Sequence, residues 1–155
     1  MTITYRDASQ EDAIALAPHL RAADRLEVML AAGDVEAALL ASVAAPGVSL
    51  AAVNERGEVI ALFGMSDGPN MGIPWMLASD EVDRHPRHLV AGCRRWVLEM
   101  LPHYQLLLNY VHAENTTAIA WLRHIGFTIG ALVEDFGVAK APFYQFYMWN
   151  KETNV

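Results

Sequence analysis

The stretch from Gln105 to Phe127 constrains the fold more than any other part of the chain. Gln105 to Val111 is a largely apolar run, short enough for a strand and suited to one covered on both faces, so it predicts a strand lying mid-sheet. Asn115 follows, a residue whose side-chain oxygen can accept an N–H from the first turn of a helix, and Thr116 to His124 reads as that helix. Gly126 tolerates the left-handed conformation that stops a helix, and it passes the chain to a further strand at Phe127. The rest of the fold has to fit around this strand and the capped helix it delivers.

Upstream, Ile3-Thr4-Tyr5-Arg6 is a short β-like opening. Ser9 begins a helix, with Asp12 in place of the usual capping-box Glu or Gln. Ile14, Leu16, Ala17, Leu20 and Ala23 suggest a helical face that Pro18 kinks or breaks, and Val35 to Val43 reads as a second helix. Ser49 to Val53 and Val59 to Gly64 flank the turn residues Asn54-Glu55-Arg56-Gly57-Glu58 and predict a hairpin. Ser66 to Gly72 has the Gly, Pro and Asn content of a loop, and Ile73 to Ala78 reads as a strand with Pro74 near its start. Leu89, Val90, Cys93, Trp96, Val97 and Met100 form one apolar stripe, which predicts a helix from Pro86 to Leu101. Phe127 to Val133 and Phe143 to Trp149 are the last two strands. This order is not the alternation of a doubly wound sheet. It predicts an α+β fold in a single domain over residues 1–155, with a central mixed, mostly antiparallel sheet of roughly six to seven strands and about four helices on its two faces.

Composition narrows the function classes. Of 155 residues, 54% are hydrophobic and 19% charged, which suits a chain with a buried core and not a disordered one. No run approaches the roughly 18 apolar residues of a membrane span, and the first residues lack the basic and apolar regions of a signal peptide. Cys93 is the one cysteine, so no disulfide framework is expected and a reducing cytoplasm fits. The net charge of −7 argues against a nucleic-acid partner; an acidic surface could attract a basic amine, but solubility alone accounts for such a charge. The histidines show no ligand spacing with cysteines or carboxylates, so no metal site is expected.

Leu108 to Phe127 resembles the C-terminal half of the GNAT acyl-CoA N-acyltransferases, in which a strand leads to N-x-x-A-I, a short helix and Gly-Phe. Asn115, Ala118, Ile119, Gly126 and Phe127 match that pattern. The resemblance implies a GNAT-like fold and an acetyl-CoA site. Trp75, Met76 and Leu77 occupy the strand whose backbone would hold the pantetheine arm, and Asn115 caps the helix beside it. The phosphate loop of the family, Q/R-x-x-G-x-G/A, is missing: Gly92 falls inside the predicted helix and Pro86 removes one donor, leaving Arg84, Arg87 and His88 as cationic candidates for the phosphates. The family often carries a Tyr proton donor seven residues after the capping Asn, where this chain has Leu122; Tyr110, Tyr144 and Tyr147 are the candidate substitutes. Candidate bases for the amine are Glu27, on the early helices, and His112, just past the central strand.

A second resemblance covers about half of the chain. Trp75 to Asp80, Tyr104 to Val111, Asn115-Thr116 and Phe143 to Phe146 are similar to the small internal virion proteins of short-tailed bacteriophages, and Asp24 to Glu27 resembles their D-x-x-E element. It implies a virion or morphogenesis protein with a degenerate or lost acetyltransferase site. Its partners would be other virion proteins or further copies of itself, and it would lie in the host cytoplasm or in the phage particle. The alternative is an active acetyl-CoA-dependent N-acetyltransferase acting on a small-molecule or protein amine.

Overall fold

A reciprocal capping box starts the first helix: Ser9 Oγ accepts the Asp12 N–H (3.3 Å) and Asp12 Oδ2 accepts the Ser9 N–H (2.8 Å). The computed structural model describes residues 2–84 and 86–151. Helix α1 (Gln10–Leu16) passes into a single 3-10 turn at Ala17–His19, where Pro18 breaks the α-helical bonding. A separate helix follows, α2 (Ala22–Ala32), which the sequence pattern did not resolve from α1. Gly33, at φ 85°, ends α2, and the Asp34 carboxylate accepts the Ala37 N–H to open α3 (Val35–Ala44).

The strands are β1 (Thr4–Asp7), β2 (Gly47–Val53), β3 (Val59–Gly68), β4 (Met71–Ala78), β5 (Leu106–His112), β6 (Thr128–Phe136) and β7 (Ala141–Trp149). They form one sheet in the order β1-β2-β3-β4-β5-β7-β6, antiparallel except where β4 meets β5. The loop expected at Ser66 to Gly72 is instead ladder, with Asp67 opposite Gly72 and Gly68 opposite Met71. Pro69 and Asn70 alone make the turn, Asn70 at φ 57°, so a loop-like composition here serves a tight hairpin. Helices α4 (Pro86–Met100) and α5 (Thr116–Ile125) complete five α-helices among the described residues, against the four expected.

Alternation along the strands assigns the helices to faces. Ala51 and Leu62 join a core with Ala13, Leu16, Val28 and Leu39 from α1, α2 and α3. Their neighbours Ala52 and Ala61 pack with Leu89 of α4, and Leu107 and Val111 pack with Val97, Ile119 and Ile125 of α4 and α5. Among the described residues, no helix is long and apolar enough to cross a membrane.

One irregularity places the site. β4 and β5 pair in parallel only at Met71–Leu106 and Gly72–Leu107, although β4 runs on to Ala78 and β5 to His112. Beyond that point the two strands part.

Candidate active site

Asn109 sits at the fork. Its Nδ2 donates to the Pro74 carbonyl across the gap (2.8 Å), and its Oδ1 accepts the N–H of Tyr110 (2.8 Å). Backbone groups on a strand point to alternate sides. Along β4, Gly72 pairs with β5, Pro74 C=O meets Asn109, and Ala78 presents its N–H to Asp24 Oδ2 (2.8 Å) and its C=O to the Arg21 N–H (2.9 Å). Met76 shares that parity, so its N–H and C=O point into the opening between β4 and β5.

A cavity of about 480 Å³ occupies this opening. On the side of α4 and α5 its wall is apolar, with Cys93, Val97, Ala118, Leu122 and Ile125. On the side of α2 it is acidic and aromatic, with Asp24, Glu27, Trp75 and Tyr110. Tyr110 is the one phenol among the described lining residues, and its ring stacks on Phe136 (4.6 Å). The parting of the strands thus joins two chemically different half-sites through the sheet.

Glu27 is the most informative group. Its Oε1 accepts both the His112 backbone N–H (2.8 Å) and Asn115 Nδ2 (3.1 Å), and Oε2 takes neither. Burial pushes its carboxyl above the usual carboxylate range, against the opposing pull of those two hydrogen bonds. Burial likewise raises Asp24, opposed chiefly by the charge of Arg21, whose guanidinium reaches both Asp24 (3.1 Å) and Asp83 (3.1 Å).

The other expected residues divide clearly. Trp75, Met76, Leu77 and Asn115 all line the cavity. Asn115 is buried with both ends of its amide bonded, Oδ1 capping α5 at the Ala118 N–H (3.2 Å) and Nδ2 donating to Glu27 (3.1 Å). The second candidate base, His112, is buried with its ring against Phe143 (5.4 Å) and does not line the cavity; it contributes its backbone N–H. Arg84 is exposed and paired with Glu81 (3.5 Å), and Arg87 is exposed on the first turn of α4; neither lines the cavity. The side chain of His88 lies outside the described residues. Leu122 does line the cavity, which places a methyl-bearing side chain where the resemblance expects a phenol.

Two site residues were missed by sequence reasoning. Asn109 had a signal: it is the lone amide within the apolar run Leu106–Val111, and a buried strand position tolerates such a group only if it is bonded. Asp24 had as signals its one-turn spacing from Glu27 and its place in the D-x-x-E resemblance.

No protein-family model matches the chain, and no curated protein matches it in sequence. Solved structures do resemble it. A GNAT superfamily phosphinothricin acetyltransferase from Sinorhizobium meliloti, in complex with acetyl-CoA, is 17% identical with a TM-score of 0.68, over 96% of this chain and 89% of that one. A GNAT-family acetyltransferase from Streptococcus pneumoniae is 17% identical with a TM-score of 0.66, over 96% and 99%. A variant of the spermidine N-acetyltransferase from Vibrio cholerae is 9% identical with a TM-score of 0.69, over 99% and 96%. At such identities the likeness is one of fold, and the fold is GNAT. It lends no support to the virion role implied by the second resemblance.

Proposed function

We propose that this chain is an acetyl-CoA-dependent N-acyltransferase whose acceptor is a cationic amine. The observation that carries the reading is Glu27: a half-buried carboxylate with one oxygen tied down and the other, among the described residues, unengaged, on the acidic side of a cavity that passes between parted strands. An ammonium entering from that side meets Glu27 and Asp80 along the lining, Asp24 and Asp83 being paired with Arg21. Oε2 takes the proton the nitrogen must lose before its lone pair is available, and a carboxyl raised by burial is a better acceptor for it than an exposed one. The aromatic faces of Trp75 and Tyr110 suit a cation on the same side.

Acetyl-CoA would supply the acetyl group as a thioester, and the residues present fit it unevenly. The apolar wall of Cys93, Val97, Leu122 and Ile125 suits a pantetheine arm, and Met76 offers a strand N–H and C=O aimed at it. At the phosphate end, α4 is a 15-residue helix whose first N–H groups lack intrahelical partners, with Arg84 and Arg87 at its start in place of a glycine loop. Tyr110 is the lining phenol that can return a proton in the absence of a Tyr at 122. That one of the similar solved structures is named for acetylating spermidine supports the acceptor class.

Calorimetric titration with acetyl-CoA tests the reading, followed by acetyl transfer to a panel of primary amines by wild type and Glu27→Gln. Micromolar binding and transfer that collapses in the variant are expected. No binding at millimolar acetyl-CoA would sink the enzyme and return the scaffold role implied by the phage resemblance.

A further inference from the structure

We infer that Gly137, far from Glu27 in sequence, is the residue that lets the β6–β7 hairpin hold Glu27 in place. This rests on the proposed role of Glu27 as the proton acceptor. The turn between Phe136 and Ala141 reaches across to the end of α2, where Val138 N–H donates to the Ala31 carbonyl (3.2 Å) and Ala139 N–H donates to the Leu30 carbonyl (3.0 Å). Those carbonyls belong to the last turn of α2, which has no intrahelical donors for them. Glu27 lies about one turn earlier on the same helix.

The hairpin is tied to the other side of Glu27 as well. β7 pairs with β5, setting Phe143 opposite His112, and the Ala113 N–H donates to the Pro142 carbonyl (2.9 Å). His112 in turn gives its N–H to Glu27. Helix, carboxylate, β5, β7 and turn therefore form a closed circuit, and the turn is the link that approaches α2 backbone to backbone.

Only glycine closes that link. Gly137 has φ 75°, and a methyl group built on it would lie 2.6 Å from Ala31 Cα, 2.7 Å from Leu30 O and 2.9 Å from Ala31 O. All three are backbone atoms, so no side chain can rotate away and the end of α2 must move. Gly57, in the β2–β3 turn, is the matched control: its φ is 77° and a methyl there meets nothing within 4 Å. Gly57→Ala carries the same backbone strain without the contact.

The test compares Gly137→Ala with Gly57→Ala, in two readouts. The first is amide hydrogen exchange. In Gly137→Ala the amides of Val138, Ala139 and His112 should exchange about tenfold faster than in Gly57→Ala, His112 because its acceptor has shifted. The second is acetyl transfer. In Gly137→Ala kcat should fall roughly tenfold or more with the KM for acetyl-CoA unchanged. The acidic limb of the pH profile should move to lower pH as Glu27 becomes hydrated. If His112 is equally protected in the two variants, the inference is overturned. Should wild type transfer no acetyl group, the proposed function falls while the His112 amide still decides whether Gly137 positions Glu27. If Gly137→Ala does not fold, Ala139→Pro, which removes the N–H bonded to Leu30, must accelerate His112 exchange in the same way; a protected His112 there also overturns the inference.

Discussion

Asp24 and Glu27 stand one turn apart on α2 and each holds the backbone of a different strand, Asp24 the N–H of Ala78 at the end of β4 and Glu27 the N–H of His112 at the end of β5. Where β4 and β5 part, these buried amides lose the ladder partners that a continuous sheet would provide. Buried N–H groups are rarely left unbonded, because desolvation without a partner costs a large part of a domain's stability. Two carboxylates from a neighbouring helix replace the missing strand contacts, and the gap that results is the cavity. Structure and candidate chemistry thus share a cause.

Removing Asp24 should therefore be costly. Asp24→Ala leaves the Ala78 N–H without its acceptor and Arg21 without a buried partner, and it should destabilise the protein by about 3 kcal/mol in urea unfolding. Asp24→Asn keeps an acceptor for the amide and should cost less. Equal stability of wild type and Asp24→Ala would show that the clamp is dispensable.

Glu27 should make stability fall with rising pH. Its carboxyl is raised by burial in the folded protein, so the folded state binds the proton more tightly than the unfolded chain. The resulting stabilisation is complete below the unfolded pKa of about 4.3 and is lost as pH rises through the higher folded value. Glu27→Gln carries no such proton. Its urea midpoint should vary less with pH across that window than that of wild type, and parallel curves would argue against a carboxyl raised by desolvation.

Leu122 lines the cavity at the position where the GNAT resemblance leads one to expect a phenol. Leu122→Tyr should raise kcat by about tenfold or more if protonation of the leaving thiolate limits turnover, since general-acid groups contribute at least that much. An unchanged or lower kcat with intact acetyl-CoA binding would assign that proton to another group, Tyr110 being the one to substitute next.

Cys93 reports on the apolar half of the site. Burial pushes its thiol up to about 11, so a small maleimide should label it slowly at pH 8 in the folded protein and fast in urea. It lines the same wall proposed for the pantetheine arm, and acetyl-CoA should slow labelling further. Labelling indifferent to acetyl-CoA would place the cofactor elsewhere.

The limits of sequence reading are visible residue by residue. Asn115, Gly126 and the apolar stripe of α4 act through neighbours within one or two turns, so their roles could be read directly. The hairpin turn at Pro69-Asn70 was misread because turn-forming residues do not reveal how few of them the turn uses. The sequence puts His112 just past the central strand, whereas it is the last residue of β5 and its imidazole packs against Phe143, thirty-one positions away on another strand.

By itself the sequence determined most of the elements and their order, the separation of α2 from α1 excepted, because caps, periodicity and punctuation are local and each is decided by residues a few positions apart. It also marked Glu27 as a candidate. Only the tertiary structure decided where β4 and β5 separate, which carboxylate oxygen is left unengaged, and that the turn at Gly137 closes on α2. Those features are made by contacts between distant segments, whose distances no local pattern encodes.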